Sequence, residues 1–427
     1  MLMRVGICSL GCKVNIYESE YVESLLKNHG YEIVPFEDIA DIYIINTCSV
    51  TNESDRKSRK MIHQAKRRNV QAIVVVMGCY SQVKSEEIDA DIVLGNKDKS
   101  RIVEYIEEYL ENHQTIKKIY DLRTTDGFEA MSITNFDNHT RAFVKIQDGC
   151  NAFCSYCIIP YTRGKIRSKA FHDVVAEVTK LVENGYQEIV LTGIHTGKYG
   201  MDLKNMNLEK LLRRLVEIPG IYRIRLSSIE IHEITDGIMD LIASSKVIAR
   251  HLHIPLQSGS NRILKLMNRR YDLQYFKEQI YKIREIDEDI SITTDLIVGF
   301  PGETDEDFGE TMDTLKEIGF TKIHTFPYSS REGTVASKMK DQIDGVTKKN
   351  RVKQVLQLSL EQERKFYQKY IGKVLEGLTE VHRDGKIVVL TSNYISVLVD
   401  GNYQNNQVVS VLIEDVDEDN KVYGKII

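Results

Sequence analysis

Cys150, Cys154 and Cys157 stand in the stretch DGCNAFCSYCIIPYTRG as a C-x3-C-x2-C run. Three thiolates this close can hold three irons of a cubane cluster, and the fourth iron then needs a ligand from elsewhere. No fourth cysteine follows within the run, so one iron is left open to a substrate or cofactor, as catalytic zinc sites keep an open position. A structural zinc site is the competing chemistry, but it asks for four ligands in paired knuckles. The remaining cysteines are Cys8, Cys12, Cys48 and Cys79. Cys12, Cys48 and Cys79 each fall just beyond an apolar run that reads as a strand, at residues 4–8, 41–46 and 72–77. Taken singly, each reads as a buried inert thiol. Taken together they gain a second meaning, because loops past the carboxyl ends of parallel strands share one ligand-binding edge. A second three-thiolate site is expected there. Cys8 lies inside the first run and is expected in the core.

These thiols need a scaffold. The near-continuous apolar character of DIYIIN and AIVVVM suits a parallel sheet covered on both faces. A helix is expected from Asn15, as its N-cap, to about Lys27, with Gly30 just past its end. Residues 1–115 are therefore expected to form an α/β domain. Between about 136 and 346, six apolar runs (142–147, 188–193, 222–228, 251–256, 291–298 and 322–328) alternate with helical patterns. That order predicts βα units with catalytic groups at the carboxyl ends of the strands. Residues 347–370 read as an amphipathic connecting helix. From 371 onward, short runs between Asp-Gly turns predict a small antiparallel β-barrel.

A chain of 427 residues suggests two to four domains. No apolar run approaches bilayer-spanning length, and the start MLMRVGICSLGC lacks the apolar core of a secretory signal. Seven cysteines, an odd number spread over a large chain, argue for metal or redox use in a reducing cytoplasm. The net charge of −5 leaves nucleic-acid binding to local patches. Residues 56–68 hold seven basic side chains and no acidic one. Arg56, Arg59, Lys60, His63 and Arg67 recur there at helical spacing and make one positive face. A solvated face is the ordinary alternative, yet like charges repel and ask for an anionic partner. Arg163, Lys165, Arg167 and Lys169 form a second basic run, and residues 347–370 carry seven basic and two acidic side chains. Such patches neutralise phosphates without reading sequence. Residues 371–427 hold nine acidic and five basic side chains, so any RNA grip there rests on Arg383 and Lys386, with Tyr394 for stacking.

The cysteine run, with Tyr156 just before its last member, resembles the radical S-adenosylmethionine (SAM) superfamily. The resemblance implies SAM chelated at the open iron and a deoxyadenosyl radical formed on cluster reduction. Six repeats fit the open, partial (β/α)6 barrel usual there. SLGCKVNIYESE, IINTCSVTNESDRKSRK and VVMGCYSQ resemble the N-terminal domain of the methylthiotransferases, in which that domain precedes a radical SAM core and a small β-barrel named TRAM. This resemblance is effectively full length. It implies two 4Fe-4S clusters, an auxiliary one on Cys12, Cys48 and Cys79 and the radical one on Cys150, Cys154 and Cys157. The run LIVGFPGET at 296–304 resembles the superfamily's glycine-rich stretch against the adenine, with Gly299 and Gly302 allowing close backbone approach. Thr304 also reads as the N-cap of the next helix. Gly193 ends the second core strand, where the superfamily runs backbone beside the SAM methionine. Glu230 and Gln257, at strand ends, suit ribose or methionine contacts, or equally serve their own loops. His195, His232, His251 and His253 lack metal-ligand spacing and read as structural.

Within this family the opening SLGCKVNIYE most resembles the bacterial branch that places methylthio on carbon 2 of threonylcarbamoyladenosine, next to the tRNA anticodon. The isopentenyladenosine branch tends toward Gln-Met, and the ribosomal-protein branch toward Pro-Lys, where this chain has Lys13 and Val14. The resemblance implies tRNA, a low-potential electron donor of flavodoxin or ferredoxin type and a sulfur source as partners, and no membrane. A threonylcarbamoyl carboxylate needs a cationic partner, and an arginine fork meets a carboxylate with two parallel hydrogen bonds. Arg163 and Arg167, just past the radical cysteines, are expected to supply it. The alternatives are action on isopentenyladenosine and a non-catalytic iron–sulfur RNA-binding regulator.

Overall fold

The computed structural model describes residues 2–136, 139–383 and 385–427. Six strands, β1 (Arg4–Ser9), β2 (Glu32–Val34), β3 (Ile42–Thr47), β4 (Ile73–Gly78), β5 (Ile92–Leu94) and β6 (Ile116–Lys118), form one all-parallel sheet in the order β2-β1-β3-β4-β5-β6. Every residue of β3 and β4 is buried. Ile42, Ile44, Val75 and Met77 face one core with Val22 and Leu26 of α1 (Lys13–Asn28). Tyr43, Ile45, Val74 and Val76 face another with Ile62 and Ala65 of α2 (Asn52–Arg68). Two-sided covering explains why both strands read as unbroken apolar runs. The three-residue strands β2, β5 and β6 are too short to leave a periodic signal.

The helix expected to start at Asn15 starts at Lys13, with Cys12 in the cap position. Asn15 is buried in the first turn, and its amide donates to Leu10 O at 2.7 Å and Thr47 O at 3.0 Å. Those bonds join the ends of β1 and β3, which is a better use of the amide than a helix cap.

The middle of the chain holds β7 (Ala142–Asp148), β8 (Arg167–Ser168), β9 (Glu188–Gly193), β10 (Arg223–Leu226), β11 (His251–His253), β12 (Ser291–Val298) and β13 (Lys322–Pro327). β9 lies parallel between β7 and β10, and β12 lies parallel between β11 and β13. The halves join where the Ile229 amide donates to His253 O at 3.1 Å and Ile224 bridges Ile248. The result is an open barrel of six parallel strands, with β8 added antiparallel on β7.

The N-terminal domain reaches both edges of that opening. On the β7 side, Tyr17 of α1 enters the barrel's apolar core, its hydroxyl 2.9 Å from both Met131 O and Glu177. Past β13, Arg331 donates to Ser49 at 2.8 Å and to Asp55 at 2.7 Å, while the Asn52 amide donates to Ser329 at 3.0 Å.

The last strands, β14 (Val374–Arg383), β15 (Lys386–Thr391), β16 (Ser396–Val399), β17 (Val408–Val416) and β18 (Val422–Ile426), close a barrel in the order β14-β15-β16-β18-β17. Its pairs are antiparallel except β16 with β18. The run at 387–400 is two strands, broken at a turn where Tyr394 takes φ of 69°. The helix Gly345–Gln368 docks this barrel to the middle domain. Arg351 binds Glu303 at 2.6 Å and Asp305 at 2.7 Å, and Arg364 donates to Asp417 O at 2.9 Å. Part of this helix's basic charge is therefore held by the protein itself. No helix among the described residues is long and apolar enough to cross a membrane.

Candidate active site

The loop after β7 is bent so that three thiols crowd together. Gly149 has φ of 77°, and a Cβ there would fall 1.9 Å from Lys165 O, so only glycine lets the loop close on the segment that returns to it. The Cys150 amide donates to Gly164 O at 2.9 Å, the Cys157 amide to Cys154 O at 3.0 Å, and Phe153 adopts the left-handed region at φ 50°. Burial, and after it the neighbouring Cys154, push the Cys157 thiol up to about 12.

Cys12 caps α1, Cys48 follows β3, and Cys79 opens the helix α3 (Cys79–Lys84) directly after β4. All three lie past the carboxyl ends of neighbouring parallel strands. Gly11, at φ 99°, brings its loop so close that a Cβ would sit 2.7 Å from Cys48 Cβ and 2.8 Å from its sulfur. Burial and then Cys79 raise the Cys48 thiol to about 11, and burial raises Cys12, with Arg163 opposing and Cys79 adding to it. Cys8 stands apart, raised to about 11 by burial and Glu37.

Each group of three thiols is thus mutually repelling once ionised, a donor set that a cationic cluster would neutralise. Among the described residues no three such side chains converge tightly enough to hold a single metal ion. A cubane takes each thiolate on a separate iron, and three cysteines per group would supply three such ligands.

The two groups are joined by charge. Arg163, six residues past Cys157, is fully buried and donates to Glu18 of α1 at 2.7 Å, to Asn15 at 2.7 Å and to Asp148 at 3.2 Å. Lys145 binds Glu18 and Asp148, each at 2.7 Å, and Lys99 binds the other oxygen of Glu18. Despite burial, which opposes it, Arg163, Lys145 and Lys99 hold the Glu18 carboxyl well below its usual range. Asn96 spans the same boundary, donating to Cys79 sulfur at 3.4 Å and Thr162 O at 2.9 Å.

This network corrects the expectation for the arginines. Both Nη atoms of Arg163 are taken by Glu18, Asn15 and Asp148, which leaves only a buried Nε without a partner. Arg167 is buried, donating to Lys165 O at 3.1 Å and Arg163 O at 3.0 Å. Lys169 is bound to Glu177, and Lys165 to Asp126 at 2.5 Å. A sequence shows that charge is present, but not that a distant carboxylate already neutralises it.

The expected SAM contacts separate into two groups. Glu230 lines a recess beside the radical thiols together with Ala152, Cys154, His195, Arg269 and Tyr271. Gly193 borders it through Gln147, whose Oε1 accepts from the His195 amide at 2.7 Å. Tyr156 and Ile297 both pack against the apolar cluster that contains Phe300. Gly299 faces the Lys348 side chain, and its amide donates to Glu303 at 2.5 Å. Gly302 donates to Asp341 O at 2.7 Å. Thr304 caps the next helix in a capping box with Asp307. Gln257, at φ 67°, is held by backbone bonds to Asp295 and Ile297 at 2.9 Å.

His195, expected to be structural, touches the site directly. Its ring lies 3.2 Å from Cys150 sulfur through Nδ1 and 2.8 Å from Glu233 through Nε2. Burial alone would lower its pKa, but the bonds to Cys150 and Glu233 overcome that and raise it to about 10. Arg269 repeats the pattern, 3.6 Å from Cys154 sulfur and paired with Glu230. Both carboxylates belong to one turn, 230–233. No cysteine spacing could have pointed to it, because His195 comes from the loop after β9 and the turn itself from the loop after β10.

A polar junction inside the open barrel also lay beyond the sequence. Tyr394, expected to stack on RNA, is instead inserted against β10 and β11. Its ring stacks on His251 at 4.4 Å, and the Arg225 guanidinium lies 4.6 Å from its centre. Arg225 is fully buried and binds Glu188 at 2.8 Å. Lys13 and Arg141 share this neighbourhood.

On α2, Arg56, Lys57, Arg59, Lys60, His63 and Arg67 are exposed, while Asp55, Ser58, Ile62 and Ala65 face inward. Glu53 binds Arg56 with two hydrogen bonds of 2.6 and 2.8 Å, and Arg59 donates to the Tyr80 hydroxyl at 3.3 Å. Lys386 of the last barrel is bound to Asp400, and Arg383 is exposed; Asp384, between them in sequence, lies outside the described residues.

Comparison with known proteins agrees with this architecture. Residues 144–315 match the radical SAM superfamily, which implies SAM and a 4Fe-4S cluster, and residues 4–95 match the family described as uncharacterized protein family UPF0004. The threonylcarbamoyladenosine tRNA methylthiotransferase of Bacillus subtilis is 43% identical over 93% of this chain and 90% of its own length. Its counterpart in Aquifex aeolicus is 43% identical over 96% and 100%. The tRNA-2-methylthio-N(6)-dimethylallyladenosine synthase of Thermoanaerobacter pseudethanolicus is 37% identical over 87% and 81%. In fold, the radical S-adenosylmethionine methyltransferase TsrM of Kitasatospora setae superposes with a TM-score of 0.57 at 14% identity, over 79% of this chain and 77% of that one. With near-complete coverage at 43% identity and two thiol triads on adjoining domains, the chain belongs to the radical SAM methylthiotransferase family.

Proposed function

We propose that this enzyme places a methylthio group on carbon 2 of threonylcarbamoyladenosine in tRNA, with Cys150, Cys154 and Cys157 holding one 4Fe-4S cluster and Cys12, Cys48 and Cys79 a second. The observation that carries the two-cluster reading is the buried Glu18–Arg163 pair, which fixes the domain bearing one triad against the loop bearing the other. The relatives' printed names supply the substrate.

When bound, a reduced cluster and SAM supply one-electron chemistry able to activate an aromatic C–H bond, which no general base can ionise. The chain's own residues do the rest. The 230–233 turn orients His195 and Arg269 onto two radical-site sulfurs, where hydrogen bonds to sulfur set cluster potential. Glu230 and Tyr271 wall the recess beside Cys154 that would hold SAM. Glu18, Arg163 and Asp148 would hold the two triads at a fixed spacing, on which the alignment of a base between them would depend. The exposed face of α2 meets RNA phosphates, and the last barrel acts as the TRAM module. A low-potential donor of flavodoxin or ferredoxin type supplies electrons, an external source replenishes sulfur, and the reaction takes place in the cytoplasm.

The test is turnover by anaerobically reconstituted enzyme with SAM and a reductant, read by nucleoside mass spectrometry. tRNA bearing threonylcarbamoyladenosine should gain methylthio, and tRNA bearing isopentenyladenosine should react poorly. The reverse preference would move the chain to the isopentenyl branch. Absence of SAM cleavage by the reduced protein would favour a non-catalytic regulator.

A further inference from the structure

Lys13 is the first residue of α1, directly after Cys12 of the N-terminal thiol triad. It is half-buried, and its surroundings are Tyr394, Arg141, Arg225 and Glu188. No hydrogen bond or ion pair engages its ammonium among the described residues. The carboxylate in its neighbourhood is already taken: Glu188 receives Arg225 at 2.8 Å and Arg223 at 3.1 Å. Arg141 turns its Nε to Glu380 at 2.5 Å, and its buried Nη1 makes no hydrogen bond but lies 3.7 Å from Glu188.

Cations therefore outnumber carboxylates here. An ammonium withdrawn from water among guanidinium groups is unfavourable alone and becomes favourable once an anion joins it. The position decides which anion. A base that receives sulfur at the N-terminal triad would lie near its thiols, and Lys13 directly follows one of them, Cys12. Threonylcarbamoyladenosine brings a carboxylate on its N6 substituent, whereas a dimethylallyl group brings no charge.

We infer that Lys13 binds the substrate's threonyl carboxylate and is the residue that sets preference for the charged substituent. This rests on the substrate reading given under Proposed function. The role expected of Arg163 and Arg167 is thereby reassigned to a side chain that is unpaired.

The experiment uses reconstituted holoenzyme and anticodon stem-loop RNAs of one sequence. One RNA bears threonylcarbamoyladenosine, and the second its neutral threonine-amide analogue. Wild type should prefer the acid by about 10- to 100-fold in kcat/KM, the range for a charge-assisted hydrogen bond. Lys13→Met should bring the acid-to-amide ratio close to one, and Lys13→Arg should restore much of it. Filter binding without SAM should show the same loss of discrimination. Iron content equal to wild type marks a folded, loaded variant. A Lys13→Met ratio as large as wild type, or an equal loss on both RNAs, would overturn the inference. If wild type modifies neither RNA but modifies a dimethylallyl one, the substrate reading itself has failed.

Discussion

Glu18 and Arg163 meet at 2.7 Å, with no solvent exposure of the Arg163 side chain and 1% of that of Glu18. One belongs to the domain carrying Cys12, Cys48 and Cys79, the other to the helix that follows Cys157. The pair is therefore the electrostatic joint between the two candidate cluster sites.

Removing one member of this joint leaves a buried charge unpaired. Glu18→Gln or Arg163→Met should destabilise the protein by about 3–5 kcal/mol in urea unfolding. Lys99→Met should cost clearly less. Burial, with Arg163 and Lys145 as like-charged neighbours, already lowers the Lys99 pKa despite Glu18. Equal losses for all three variants would contradict this ranking.

Acid should loosen the same protein. Glu188 falls from its usual 4.5 to about 2, because Arg225, Arg141 and Arg223 outweigh its burial, and Glu18 and Asp148 are lowered as well. A carboxylate with a depressed folded pKa stabilises fully above its unfolded value, and that contribution is lost as pH falls toward the folded one. Glu177 and Glu303, raised chiefly by burial, act with the opposite sign. Unfolding midpoints should drop between about pH 4.5 and 2, and Glu188→Gln should lose part of that slope. Identical pH profiles for variant and wild type would show that Glu188 does not contribute.

Iron content tests the two-triad reading. Replacing Cys150, Cys154 and Cys157 with alanine should halve the iron bound after reconstitution, and so should replacing Cys12, Cys48 and Cys79. Cys8→Ala should leave it unchanged, since Cys8 lies within β1 and not past its end. Loss of a whole cluster on Cys8→Ala would put the ligand set in error.

RNA binding should depend on the outer face of α2. Lys60→Gln with Arg67→Gln should weaken all tRNAs alike and reduce the slope of log affinity against log salt by about 1.5 to 2. Arg56→Gln should matter less, because Glu53 already compensates that charge. An unchanged slope in the double variant would mean this face meets solvent.

What the sequence made legible follows from what leaves a one-dimensional trace. β3 and β4 announce themselves because both faces are buried, and the cysteines stand out because they follow strand ends. β8, two residues long, and the break at Tyr394 leave no such trace. Arg163 read as an open cation because nothing near it in sequence shows Glu18, 145 residues away. His195 was passed over for the same reason: its partner Cys150 is brought to it by the fold. Lys13 sat in plain view as a subfamily marker, but its want of a partner is a property of three dimensions.

The insertion of Tyr394 bears on how such proteins can be recombined. The turn between β15 and β16 supplies part of the middle barrel's interior wall, with Arg225 donating to Thr391 O and Ser392 O at 3.2 Å. A C-terminal barrel borrowed from a relative would bring its own residue to that wall. Chimeras joined at the helix Gly345–Gln368 would thus exchange a piece of the catalytic interior along with the appendage, and modular shuffling here is never neutral to chemistry.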